Sequence, residues 1–532
     1  MLLRAVHIMT IPSAPRRSVL RALAVSVALV GGAIPASGTA ASASAERPET
    51  YTLTINHLDR TGRATADYIT GVHGLSGPNA GTSVKPHDAS GTTVVRLPRG
   101  RYALDSTLHK SEPVDGIDWI VQPRLDLDRD TTVTVDARTT AAVDVRPPDR
   151  AAKLYVGMMV AEITHNGVTH HPNVSTGGAE LRVAHLGPAA EPGSVRQWFD
   201  GHWEAGNGVY SLGYTFTGDR ALTGLTRRPA RRDLATVRVD AAATPGTSGY
   251  ANVFVTPSGG PTVGYGGTVK TPGTSTHFVT PERGTWDFMY VTRDASGATA
   301  RSYHADGVRV RAGETTKLTF DNAVFGPDLT GRPGAVREGR RIAVDLPLLA
   351  DGEGRASTDQ APDETASFTL HRDGVPVAPE ASTPGRAAFT VPPGRAAYRL
   401  TGTARRTGAP GTATRVTSAW TFASAATAGP TPLPLSAVRF SPGLSLTGTA
   451  PAGAALRIPV TVQGAAANGR TRSLTVSAST DGGATWTRLP VTRGAVTFRN
   501  PRADTGVSLR AELTDTDGNT LTQTIVDAYR TR

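Results

Sequence analysis

A chain of 532 residues is long enough for roughly three to five domains, each with its own core. Hydrophobic residues make up 38%, and the 58 glycines and 38 prolines lie between short apolar runs instead of in low-complexity tracts, which excludes a largely disordered chain. The absence of cysteine excludes disulfides, thiol nucleophiles, thiolate zinc sites and lipid-modified cysteine anchors, so the fold must rest on packed cores.

The N-terminus reads as a leader. Arg16, Arg17 and Arg21 surround the start of an apolar run from Val19 to Val30, which Gly31 and Pro35 break, and the small-residue stretch "ASGTAASASA" ends at Ala45 in an Ala-x-Ala pattern. Residues 1–45 are therefore expected to be an export signal. Arg16-Arg17-Ser18-Val19-Leu20-Arg21 resembles a twin-arginine signal, the alternative being the general secretory route. Either route implies a secreted, extracellular protein. The run is too short for a membrane span, and no later segment has the apolar length to cross a bilayer. Removing Arg4, Arg16, Arg17 and Arg21 lowers the formal charge of +11 to about +7. That is too mild for a nucleic-acid partner, and the one dense basic patch, "TRRPARRD" (226–233), lacks aromatics that would stack bases.

Residues 46–140 open with "YTLTINHLD", where Tyr51, Leu53 and Ile55 alternate with polar positions as a half-buried strand requires. "TTVVRLP", "RYALDSTL", "DWIVQPRLDLD" and "TTVTVDA" follow at close spacing with turn residues between them, which predicts a β-sandwich. The stretch "LPRGRY" predicts a hairpin: Pro98 cannot donate to a ladder, Gly100 can take positive φ, and Tyr102 restarts the alternation. It returns as "VPPGRAAY" (391–398) and more loosely as "TPERGTW" (280–286). Residues 141–329 carry "KLYVGMMVAEIT", "GVYSLGYTF", "LATVRVDA", "TWDFMYVTRD" and "TTKLTFDNAVF", a larger β-sandwich or a pair of β-units. Residues 330–428 repeat the first pattern, 429–435 are Pro-rich and read as a linker, and 436–532 give about seven alternating strands, an immunoglobulin-like or fibronectin-like number. The expected fold class is all-β, as tandem β-sandwich domains.

Few motifs point to chemistry. Ser479-Thr480-Asp481-Gly482-Gly483-Ala484-Thr485-Trp486 matches the Asp-box pattern, in which Asp481 binds turn amides, Gly483 supplies positive φ and Trp486 packs back on the sheet. A single box favours a structural turn. Asp515 and Asp517 before Gly518-Asn519 suggest either a hairpin turn or weak calcium binding, without the later acid of an EF-hand. His165, His170, His171 and His185 are close in sequence but have no ligand spacing, and read as loop histidines. His73-Gly74, Gly246-Thr247-Ser248 and Asp504-Thr505-Gly506 look like fragments of subtilisin motifs. Their order and the lack of helices make them chance matches. No catalytic, cofactor-binding or metal-ligating residue is assigned.

The Pro98 to Tyr102 turn resembles that of prealbumin-like or carboxypeptidase regulatory-like sandwich modules. "LTVSASTDGGATWTRLPV" with "VSLRAELTDTDGNTLTQTIVDAYR", and "YTLTINHLDRTG" with "TVVRLPRGRYALDS" and "LDLDRDTTVTVDAR", resemble the accessory region of large exported actinobacterial subtilisin-like serine proteases. The resemblance spans residues 50–532 and carries over no catalytic residue. It implies a non-catalytic, secreted array that binds an extracellular polymer, a cell wall or a secreted protein. Trp198, Phe199 and Trp203 are the expected contact surface, core packing being the other reading. The competing class is a serine peptidase-related protein or a glycan-active hydrolase.

Overall fold

The computed structural model describes residues 48–110, 116–243, 249–259, 264–294, 296–359, 361, 363–407 and 411–532. The expected export signal at 1–45 and the Gly246-Thr247-Ser248 fragment lie outside them. Within the described residues the chain is all-β, with short 3-10 turns and no α-helix. It divides into two compact units, essentially the residues up to Arg231 and those from Arg232 onward.

The first unit begins with a sandwich of β1 (Thr50–Leu58), β2 (Tyr68–Gly74), β3 (Ser83–Val84), β4 (Thr92–Pro98), β5 (Gly100–Lys110), β6 (Gly116–Leu127) and β7 (Thr131–Asp136). In one sheet β1 lies between β4, antiparallel, and β7, parallel. The other sheet runs β3-β2-β5-β6 and continues through Glu180–His185 to β8 (Ala141–Val145) and Leu225–Arg227. Alternation sends Leu53 and Ile55 of β1 into a core shared with Tyr68, Val72, Leu104 and Leu127. The second half of this unit contains β9 (Lys153–His165) and β10 (Val168–His170), a hairpin closed by Asn166 and Gly167, both at positive φ. Asn-Gly is the preferred pair for such a turn because both central residues must be left-handed.

The second unit opens with a sandwich that repeats the strand arrangement of the first. Ala235–Ala241 is antiparallel to Gly273–Val279 and parallel to Thr315–Phe320, opposite a sheet ordered Tyr265–Thr271, Gly249–Pro257, Thr285–Arg293, Thr299–Arg309. Residues 141–329 therefore split: those up to Arg231 belong with the first unit, and 235–320 form this second sandwich.

The boundary expected at 429–435 is absent. Thr431–Pro432 pairs with Ala335–Glu338, Leu433 and Leu435 are buried, and one hydrophobic core runs from Ala323 to Tyr529. Arg415–Ser424 pairs with Thr520–Thr531, so strands from residues 330–428 and from 436–532 share one sheet. Proline runs signal linkers only where nothing apolar accompanies them, and here the two leucines decide the outcome.

The three repeated turns are not hairpins. Strands before and after each turn belong to different sheets: β4 and β5, then Gly273–Val279 and Thr285–Arg293, then Arg386–Thr390 and Ala396–Arg406. Each is an arch that carries the chain from one sheet of a sandwich to the other. In each, an aromatic just past the turn is buried and fastened. Tyr102 Oη donates to the Pro98 carbonyl at 2.7 Å, and Trp286 Nε1 donates to the Thr280 carbonyl at 2.8 Å. In the third, the wholly buried Arg337 bridges the gap, donating to the Pro392 carbonyl at 2.9 Å and to Tyr398 Oη at 3.3 Å. Glycine also serves differently in the copies. Gly284 does adopt positive φ, at 77°, whereas at Gly100 a Cβ would lie 2.6 Å from the Ser76 carbonyl oxygen, so close approach and not φ requires it.

Candidate functional site

The residues expected to form a contact surface are core residues. Trp198, Phe199 and Trp203 are each at most 5% exposed on the strand Val195–Ala205, with Trp198 packed on Met158 and Val160 beneath the Arg196 guanidinium. Aromatic content in a strand bounded by turns reports burial more often than contact.

The Asp-box turn forms as a self-contained network. Ser479 Oγ donates to Asp481 at 2.7 Å and accepts from the Gly483 N–H at 2.9 Å, while the Thr485 N–H donates to the Asp481 carboxylate at 2.9 Å. Hydrogen bonds from Ser479 and Thr485 hold the Asp481 carboxyl far below the usual carboxylate range. Trp486 Nε1 donates to the Gly483 carbonyl and its ring lies under Arg510 at 4.0 Å. Both carboxylate oxygens of Asp481 serve the turn. The same holds at Asp515, whose oxygens accept from the Asp517 and Asn519 N–H groups and from Asn519 Nδ2, in a hairpin turn.

His165, His170 and His185 lie on strands, and only His171 falls in a loop, between Val168–His170 and Asn173–Thr176. His165 ends β9 and pairs across the turn with Val168, and His170 sits on β10 opposite Ile163. His165 meets Glu191 at 3.6 Å, His171 meets Glu162 at 3.2 Å, and His185 binds the Gly187 carbonyl. His170 is different, because it reaches two residues, His73 and Asp105, that no sequence pattern joins to it. His73 and Asp105 stand on the outer face of the β3-β2-β5-β6 sheet, away from the core. In β2, Tyr68, Thr70 and Val72 point inward, which sends Gly71 and His73 outward. Gly71 is level with Asp105 on β5, and Ser83 on β3 is level with His73.

The resulting geometry is tight. His73 Nδ1 is 2.6 Å from Ser83 Oγ, and His73 Nε2 is 2.8 Å from Asp105 Oδ1. His170 Nε2 lies 3.8 Å from the same oxygen, and the two imidazoles stack with centroids 3.3 Å apart. His73, Asp105 and His170 each offer one ligand-type atom, all within 4.8 Å of one another. His73 is buried and Asp105 and His170 are partly exposed. The hydrogen bond with His73 and the charges of both histidines hold the Asp105 carboxyl below its ordinary range in spite of burial. A Cβ on Gly71 would fall 2.4 Å from His73 Nε2 and 3.1 Å from Asp105 Oδ1, so only glycine leaves this space open.

Sequence reasoning treated His73 as part of a protease fragment and His170 as a loop residue, and passed over Asp105. The alternation of "YITGVHG" and the Asn166-Gly167 turn were the available signals. Asp504, the third member of the supposed triad, lies in the other unit.

Fold and site define a multidomain β-sandwich protein with a clustered His-Asp-His face. No family model and no curated protein matches the chain. Among solved structures, it is similar to the Bacillus anthracis TIE protein (12% identity, 51% of this chain and 50% of that chain, TM-score 0.13). It is also similar to a streptococcal ancillary pilin (11% identity, 51% and 99%, TM-score 0.13) and to a putative adhesin from Bacteroides ovatus (9% identity, 52% and 91%, TM-score 0.14). The match spans about half the length of the TIE protein chain.

Proposed function

We infer that this chain is a secreted, non-catalytic array of β-sandwiches that binds an extracellular polymer, a cell wall or a secreted protein. The observation that carries this reading is the tandem repetition of one strand arrangement, at 50–136 and 235–320, each copy closed by a fastened arch. Repetition of a scaffold extends reach, and the polar groups of its turns are spent on holding the turns. The resemblance to accessory regions of exported subtilisin-like proteases supports the same reading, as does an N-terminus with the features of an export signal. With Trp198, Phe199 and Trp203 buried, the exposed aromatics Tyr155 and Tyr250 take their place as contact residues.

One observation favours a second reading as a serine hydrolase: Ser83, His73 and Asp105 form a hydrogen-bonded string of the kind that activates a nucleophile. Casein cleavage and fluorophosphonate labelling of the purified chain separate the two. Neither signal is expected, and the chain should instead be retained on cell walls, polysaccharide or a secreted protein. Labelling that disappears in Ser83→Ala would replace the binding reading with the hydrolase.

A further inference from the structure

We propose that His73, Asp105 and His170 form a binding centre for a divalent transition-metal ion of the zinc type, with three protein ligands and one open coordination position. Four observations converge. The donor set, two imidazole nitrogens and a carboxylate oxygen, suits Zn²⁺ and its first-row neighbours and not Ca²⁺ or Mg²⁺, which prefer oxygen. Tetrahedral bonds of about 2.0–2.2 Å place ligand atoms about 3.3–3.6 Å apart. The observed separations of 2.8 and 3.8 Å from Asp105 Oδ1 bracket that value.

The second observation is an unsatisfied atom. His170 Nε2 is buried without a hydrogen-bond partner although a carboxylate stands 3.8 Å away. A Ser-His-Asp relay has no use for a second imidazole, whereas a metal ion does. Third, Ser83 Oγ engages His73 Nδ1, which is the outer-shell contact that fixes a ligating imidazole with its other nitrogen turned to the metal. In the tautomer whose Nδ1–H donates to Ser83, Nε2 presents a lone pair toward the Asp105 oxygen, and a cation held by both would satisfy the pair. Fourth, the missing side chain at Gly71 keeps the space beside both atoms clear.

The ligands come from β2, β5 and β10, so bound metal would tie the β9–β10 hairpin to the outer face of the first sandwich. The partial exposure of Asp105 and His170 leaves the fourth position accessible to water or to a donor group of a bound partner.

The test uses the full chain purified without an affinity tag, stripped with a chelator and titrated with Zn²⁺ by calorimetry, with Co²⁺ absorption as the geometric probe. One equivalent should bind, Co²⁺ should give the intense visible bands of a four-coordinate site, and Tm should rise with Zn²⁺. Asp105→Asn and His170→Gln, both close in shape to the originals, should each weaken binding by at least roughly tenfold to a hundredfold. Their circular dichroism should stay unchanged. His171→Gln, at an exposed position paired with Glu162, should leave affinity intact. Absence of a stoichiometric site in the parent chain would overturn the proposal, as would binding that survives Asp105→Asn and His170→Gln but is lost in His171→Gln.

Discussion

At the scale of single residues, two of the first sandwich's histidines, His57 and His73, are in opposite situations. His57 is wholly buried, stacked on Tyr68 at 3.5 Å, with Nδ1 against the Gly91 carbonyl and Nε2 2.7 Å from Thr70 Oγ1. Burial lowers its pKa to about 4. Because the unfolded chain protonates this residue near pH 6.5 and the folded chain only near 4, stability is intact above about pH 6.5 and falls as the pH drops between those values. The loss is about 3 kcal/mol. Urea unfolding from pH 7 to pH 4, with the His57 ring followed by NMR, checks both the slope and its assignment. His73 instead faces outward, where Gly71 leaves it room. Gly71→Ala drives a Cβ into that room and should abolish stoichiometric Zn²⁺ binding, measured by the same calorimetry, while the strand pairing persists.

At the scale of elements, the arch is the recurring device. A turn that moves the chain from one sheet to the other leaves carbonyls without ladder partners, and a buried aromatic donor or an arginine satisfies them. Trp286→Phe keeps the ring and removes the buried donor to the Thr280 carbonyl. It should cost about 1–3 kcal/mol in denaturant unfolding. Tyr102→Phe should act in the same direction at Pro98. Proline, glycine and the following aromatic were legible in the sequence, but they read as a hairpin. Whether two strands pair with each other or with others depends on partners distant in sequence, which local patterning does not encode.

At the scale of the whole molecule, buried charge joins successive sandwiches of the second unit. Arg301, in the strand Thr299–Arg309, and Arg406, in the strand Ala396–Arg406, both donate to Glu364, at 2.9 and 2.8 Å, and the Arg406 guanidinium covers Phe325. Nearby, Tyr303 donates to the partly buried Asp321, whose carboxyl is raised by desolvation. Glu364→Ala would leave two guanidinium groups largely buried without their shared anion, at a cost of about 3–5 kcal/mol measured as a lowered unfolding midpoint. The continuous core from Ala323 to Tyr529 makes a further prediction. Leu433→Ala should destabilise by about 2–5 kcal/mol, and residues 323–532 should lose structure in one transition, visible as uniform loss of amide protection on both sides of 429–435.

The all-β class is legible in the sequence by itself, because alternation with period two and closely spaced turn residues suits strands and not helices. The sequence also determined the Asp-box turn, whose hydrogen bonds all close within eight residues, from Ser479 to Trp486. Tertiary structure alone decided which strands share a sheet, that 429–435 is part of a core, and that Trp198 and Trp203 are buried. It also decided the site: His73, Asp105 and His170 are separated by 32 and 65 positions, and only the register of β2 on β5 and the docking of β10 bring them within bonding distance of one ion. Local patterns fix local conformation, whereas a constellation drawn from three strands exists only once the chain has closed on itself.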